Sequence, residues 1–249
     1  MRRRSLDEVL ALVDGVDGWL SVDQVARLYG AAAAVTPGGQ VVEIGSFRGR
    51  STIVLAAGVD DETTVVAIDP HAGNDRGPQE ISGYTHEAQS DHEIFTANLA
   101  TAAVADRVRH VREFSDRAVD AVSGEIALLF IDGAHRFAPA RSDIRTWGSR
   151  VADGGEMLIH DSFSSVGVTA AICRELLFGS RFRYVGRSRS LAEYRADLEP
   201  GWRSRSGNVG RQLAQLPWFA KNVALKMLLT AHLGGLVQQV TGRKPEWPY

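Results

Sequence analysis

A chain of 249 residues with 44% hydrophobic content and a formal net charge of −2 is long enough for one α/β domain with its own core and additions. Its single cysteine, Cys173, excludes an intrachain disulfide and a cysteine-cluster zinc site, and favours a reducing, cytoplasmic setting. No uncharged apolar stretch of about 18 residues occurs, so a membrane span is not expected, and the basic start "MRRRSLDEVL" lacks the apolar segment of a secretory signal.

Residues 1–38 read as an N-terminal helical cap. Ser21 with Gln24 three residues later is a capping box, so a helix starts there. From 39 to 198, apolar runs alternate with helical patterns. Strands are expected at 40–45, 64–69, 108–113, 126–132 and 155–161, because these runs are short, rich in β-branched residues and mostly apolar on both faces. Helices are expected at 50–58, 90–104, 115–122 and 137–150. Residues 182–195 add two late strands. The fold class is therefore α/β: a Rossmann-like, doubly wound, mostly parallel seven-stranded sheet with helices on both faces. Residues 199–249 form a helical C-terminal extension. Its 211–240 stretch has Trp218, Phe219, Val223, Met227 and Leu228 at apolar positions, interrupted by Gly234 and Gly235. It is expected to pack on the core, build a dimer contact or touch a membrane surface. Residues 181–249 hold nine Arg and three Lys against four acids, which suits an anionic partner or a solvated surface.

Ligands of open α/β sheets bind at the carboxyl ends of the strands. In "EIGSFRGRST" (43–52), Gly45 and Gly49 allow a tight turn and a close approach. Ser51 and Thr52 open the next helix, whose amides favour an anion. Asp69 ends the second strand, where an acid can accept hydrogen bonds from both ribose hydroxyls. The loop lacks the middle glycine of the dinucleotide fingerprint, which disfavours a nicotinamide enzyme.

"VVEIGSFRGRSTIVLA" resembles motif I of class I S-adenosylmethionine-dependent methyltransferases, "VVAIDP" their motif II, and "REFSDRAVD" the segment that holds adenine. "IDGAHRFAPARSDIRTWGSRVADGGEMLIHDSF" resembles the metal-site half of the metal-dependent O-methyltransferases among them. The likeness covers residues 20–195. It implies that Glu43, Gly45 and Ser51 hold the amino-acid end of S-adenosylmethionine, with Phe47 and Gly49 shaping the loop. Asp69 would bind the ribose, Ser115 and Asp116 the adenine, and Asp132 would sit beside the cofactor. It implies Mg²⁺ or a similar divalent cation on Asp132 and Asp161. The family places an amide or acid after the second of these; here it is Ser162, so His160 or water are alternatives for the third ligand.

His135 stands where the resembling enzymes carry a lysine or histidine. A hydroxyl is a poor nucleophile until it loses its proton, and a histidine beside a metal suits that task. Against these roles stand plainer ones: Asp161 as a helix cap, His135 as a loop-closing hydrogen bonder.

The resemblance extends to sugar O-methyltransferases, which implies a small carbohydrate acceptor, a short (methyl)mannoside. Phenolic, amino or lipid acceptors are the alternatives. A degenerate-core binding module for nucleic acid or anionic lipid is disfavoured by the complete motifs. A homodimer is expected, without nucleic acid and without a membrane span, although peripheral membrane contact stays open. The polar 70–92 segment, with His71, His86 and His92, reads as a lid or acceptor wall, with Tyr84 and His86 against a sugar. His110 and His232 read as structural.

Overall fold

The computed structural model describes residues 3–72, 85–179, 181–199 and 201–231. Two helices come first, α1 (Leu6–Val13) and α2 (Val22–Ala34). Each opens with a capping box, Ser5 with Glu8 and Ser21 with Gln24. The second side chain of each box accepts the amide that the helix start leaves orphaned.

Strands and helices then alternate: β1 (Val41–Ile44), α3 (Arg50–Gly58), β2 (Val65–Ile68), α4 (Thr85–Thr101), β3 (Val108–Val111), β4 (Ile126–Ile131), α5 (Phe137–Gly148), β5 (Val151–Ile159), α6 (Val166–Ile172), β6 (Phe182–Ser188) and β7 (Leu191–Ala196). They form one seven-stranded sheet in the order β3-β2-β1-β4-β5-β7-β6. Strands β1 to β5 pair in parallel, and β7 runs antiparallel between β5 and β6.

Successive residues of each strand point to opposite faces. Val41, Val65, Leu128 and Phe130 therefore pack beneath α1, α2 and α3, while Val42, Val66, Leu129 and Ile131 pack against Ile144 and Trp147 of α5 and Ile172 of α6. Both faces are covered, which is why β2 and β4 read as unbroken apolar runs. Chain order reverses between β1 and β4, so a crevice opens at their carboxyl ends.

Two expected helices differ. Residues 115–122 form a turn and a short 3-10 segment at Val119–Ala121 rather than an α-helix. Side chains take the carbonyls that a helix would have used: Trp147 Nε1 donates to Ser115 O, Arg150 to Val119 O and Val122 O, and Arg109 to Ala121 O. The extension is two helices where one was expected, α7 (Trp202–Leu213) and α8 (Leu216–Thr230). Pro217 explains the break, since proline is tolerated only in a first turn. Strand β5 starts and ends earlier than the sequence pattern implies, and α4 starts at Thr85 rather than at residue 90.

The extension packs on its own chain's core. Asn208 Oδ1 accepts from Tyr184 N at 2.7 Å, Gln212 Nε2 donates to Leu176 O at 3.1 Å, and Asn222 Nδ2 donates to Phe163 O at 3.1 Å. Arg187 stacks over the Trp218 ring, 3.8 Å from its centroid. No helix among the described residues is long and apolar enough to cross a membrane. Tyr84, His232, Gly234 and Gly235, and the side chain of His86, lie outside the described residues.

Trp147 is fully buried and pins the 115–122 turn as well as filling the α5 face of the core. Trp147→Ala should cost about 3–5 kcal/mol of stability, read as a lowered denaturant midpoint at unchanged slope.

Candidate active site

The crevice begins at Gly45. Its φ of 89° is open to glycine, and a Cβ there would lie 2.5 Å from Asp132 O. The ends of β1 and β4 thus touch backbone to backbone. Phe47 follows with φ 45°, a conformation that its neighbours hold in place. Its N–H donates to Asp69 Oδ2 at 2.8 Å, and its carbonyl accepts from His71 Nε2 at 2.8 Å. Asp69 Oδ1 accepts from His71 N at 2.7 Å. Both Asp69 oxygens therefore shape the loop and keep further lone pairs for a ligand.

A cavity of about 350 Å³ runs from this loop to the end of β4. Gly45, Phe47, Ser51, Asp69, Ser115, Asp116, Asp132 and His135, all expected at the site, line it together. Two other residues expected to bind the cofactor do not reach its wall. Gly49, at φ 88°, is the N-cap of α3 and packs beneath the loop beside Phe95. Glu43 is buried behind the crevice, where Thr52 Oγ1 donates to its Oε2 and its Oε1 has no hydrogen-bond partner. Burial pushes the Glu43 carboxyl up to about 8, against the lowering by Ser51 and Thr52 and with added repulsion from Asp132 and Asp69.

Several lining residues carry no motif. Asp17, Gly18, Trp19 and Leu20 roof the crevice, and the Trp19 and Phe47 rings lie 5.0 Å apart. Arg48 joins this roof to α4 by pairing with both Asp17 and Asp91. Asp143 accepts from Ser115 Oγ at 2.5 Å, and burial pushes its carboxyl up to about 6. Its signal was available: Ala140, Ile144 and Trp147 mark the apolar stripe of α5, and Asp143 falls on it. His110, read as structural, packs in a ring cluster with His71, His92 and Phe95. Burial there pushes it down to about 4, helped by His71 and His92.

At the far end of the crevice, Asp132, His135 and Asp161 bring a ligand atom each to within 4.8 Å of one another. His135 Nε2 lies 2.8 Å from Asp161 Oδ2. His160 backs the pair, with Nδ1 3.0 Å from Asp132 Oδ1 and 3.6 Å from Asp161 Oδ2. Burial disfavours its charged form, but the Asp132 and Asp161 carboxylates outweigh that and push its pKa up to about 10. Burial alone would likewise raise the Asp161 carboxyl, yet His135 and His160 hold it well below the usual carboxylate range. Gln24 reaches in from α2: its Nε2 is 3.3 Å from His160 Nε2 and donates to Ser190 Oγ at 3.1 Å.

Asp161 adopts φ 55°, and its carbonyl accepts from Ser164 N and Ser165 N. The N-cap of α6 is Ser165, so Asp161 does not occupy the cap position of that helix. Ser162, raised as third ligand, is fully buried and donates its hydroxyl back to Ile159 O at 2.8 Å. The cluster's third member is His135. Its loop is clamped by α6: Ser165 Oγ donates to His135 O at 3.2 Å, and a Cβ on Gly167 would lie 2.2 Å from that carbonyl. Two carboxylates so close in a half-buried site repel, and a divalent cation fits between them.

Residues 42–162, from β1 to the turn after β5, match a family model described as a methyltransferase domain. Solved structures share the fold. Cofactor-bound Rv0187 from MTB is 20% identical, with a TM-score of 0.57 over 78% of this chain and 90% of that one. The O-methyltransferase NovP is 18% identical, with a TM-score of 0.58 over 71% and 81%. TomG of Streptomyces achromogenes, an O-methyltransferase involved in tomaymycin synthesis and solved in complex with SAM, is 16% identical, with a TM-score of 0.55 over 77% and 89%.

Glu43 makes one expectation about pH. Its carboxyl ionises near 4.5 when unfolded but only near 8 in the fold, so its contribution is complete below 4.5 and is lost as pH rises through 8. Glu43→Gln should remove this loss and raise stability at pH 8 by roughly 2–4 kcal/mol, measured by denaturation at pH 5 and pH 8.

Proposed function

We propose that this chain, with its methyltransferase domain and fold, moves the methyl group of S-adenosylmethionine to a hydroxyl of a small molecule. One observation carries the reading: Asp132 and His135 belong both to the nucleotide-sized crevice and to the carboxylate–imidazole cluster. Cofactor and acceptor chemistry therefore meet within one side chain's reach. The resemblance of motif I, and SAM bound in the TomG structure, support the cofactor.

The residues divide the work. Gly45, Phe47 and Ser51 bind the amino-acid end, with Gly49 and the buried Glu43 shaping the loop from behind. Asp69 takes the ribose hydroxyls, and Ser115 and Asp116, backed by Asp143, receive the adenine. Asp132 and Asp161 would hold a divalent cation, Mg²⁺ or a similar ion. Such an ion would supply stabilisation of the developing alkoxide and alignment of the acceptor oxygen. Asp161 serves here as a ligand and His135 as the base, because one imidazole nitrogen cannot hold an ion and take a proton at once.

The acceptor oxygen attacks the methyl carbon in line. The O–C bond forms as the S–C bond breaks, the sulfonium leaves as the neutral thioether S-adenosylhomocysteine, and the hydroxyl proton passes to His135. Asp161, 2.8 Å from Nε2, stabilises the imidazolium that results. Holding both partners in this alignment supplies much of the rate.

The acceptor is a carbohydrate hydroxyl in this reading, a short (methyl)mannoside, resting on the resemblance to sugar O-methyltransferases. A phenolic acceptor is the second reading, favoured by the apolar side chains of α8 near His135.

Three outcomes test the proposal. Calorimetry should show S-adenosylmethionine binding that Asp69→Ala weakens by about 100-fold, the loss of two charged hydrogen bonds; unchanged affinity removes the ribose assignment. Methyl transfer to glycosides and phenols, followed by mass, should stop in EDTA and return with Mg²⁺ or Mn²⁺. His135→Ala should lower kcat by about 10²–10⁴-fold at constant cofactor affinity. Full turnover in chelator, or an unaltered kcat, contradicts these roles.

A further inference from the structure

A second cleft opens on the other side of His135. Its polar end is formed by His135, Asp161 and Ser165, and its long wall by Val223 and Met227 of α8 facing Val166 of α6. His135 therefore separates two spaces, the cofactor crevice and this cleft, and among the described residues it is the one side chain lining both, with a carboxylate of the cluster beside it in each.

The wall is built by helix geometry. Val223, Lys226, Met227, Thr230 and Ala231 recur at helical three- and four-residue spacing, so one face of α8 looks into the cleft. From 223 to 231 that face runs about 12 Å at ~1.5 Å per residue, longer than one sugar ring. Apolar side chains on it stand open. Met227 is 67% exposed and Val166 62% exposed, on facing walls. Single exposed apolar residues are ordinary, but two opposed across a cleft that ends on a reaction centre form a surface a ligand can cover.

We propose that this cleft is the acceptor channel, and that its Val166–Val223–Met227 wall selects acceptors carrying an apolar group beyond the reacting hydroxyl. The hydroxyl lies at the Asp161–His135 end, and an aryl or alkyl substituent lies along α8. This rests on the hydroxyl-methylation reading above and adds the acceptor's chemical class. It assigns α8, a segment beyond the 42–162 methyltransferase domain, to specificity.

The probes are 4-nitrophenyl mannoside and methyl mannoside. The chain has three methionines, and Met157 is fully buried, so a ¹³C-methyl label at Met227 is a distinct reporter, assigned by Met227→Leu. Adding the aryl mannoside to the protein with S-adenosylhomocysteine should shift the Met227 methyl resonance saturably, and methyl mannoside should shift it much less. Met227→Asp should lower the preference in kcat/KM for aryl over methyl mannoside by about tenfold, acting on KM, with S-adenosylmethionine affinity unchanged; Val223→Ala should act in the same direction. A Met227 resonance that does not move at saturating probe, or a preference unaltered in both variants, overturns the channel. Methyl transfer with an unmoved Met227 removes the channel alone; a saturable Met227 shift with no transfer to any acceptor removes the hydroxyl-methylation reading alone.

Discussion

Two carboxylates end adjacent parallel strands, and the site is arranged around keeping them there. Strand register pairs Ile131 of β4 with Ile159 of β5, so Asp132 and His160 come next, opposite one another. His160 N donates to Ile131 O and locks that step. A slip of one residue would turn Asp132 to the other face of the sheet. Buried like charges raise each other's pKa unless positive groups answer them. Here His160 answers from below, His135 pairs with Asp161 from the side, and the left-handed turn at Asp161 brings its carboxylate back over the strand end.

The cofactor side depends on this pair through one backbone contact. Gly45 lies so close to Asp132 O that no side chain fits between the strands. Motif I and the Asp132–His135 loop are therefore one surface, although 87 residues of sequence separate Gly45 from Asp132. The N-terminal segment closes it from above. Arg50 donates to Val13 O and Val16 O, Arg48 pairs with Asp17 and Asp91, and Trp19 stacks toward Phe47. The cap is thus part of the binding wall, fastened by arginines that motif I itself supplies.

Much of this was legible in the sequence because it depends on local signals. Strands buried on both faces announce themselves as apolar runs, and glycines with positive φ sit where the loop must turn. Asp132, His135 and Asp161 were visible as polar residues terminating such runs. What was hidden depends on distant partners. The 115–122 segment has helical composition, but Trp147, Arg150 and Arg109 compete for its carbonyls. Ser162 sits in the family's ligand position, yet the turn at Asp161 sends its hydroxyl back into the strand end. Glu43 belongs to motif I, but pointing it at Thr52 places it behind the wall. Asp17 and Trp19 have no motif, and only the packing of α1 on α3 brings them over the crevice.

Gln24 shows how a local rule and a distant one can meet in a single side chain. The capping box of α2 asks only for an acceptor at this position, and a glutamate would serve the helix equally well. Because Ser21 N takes Oε1, the amide cannot flip, and its amino group must face His160 Nε2 and Ser190 Oγ. An amino group only donates, so it favours an imidazole whose Nε2 is bare, while Asp132 and Asp161 favour the doubly protonated ring. His160 is thus held between opposing demands, and the charge the two carboxylates carry decides its protonation. The degeneracy of the helix-start code ends here: glutamine and glutamate are synonyms for the helix and opposites for the site.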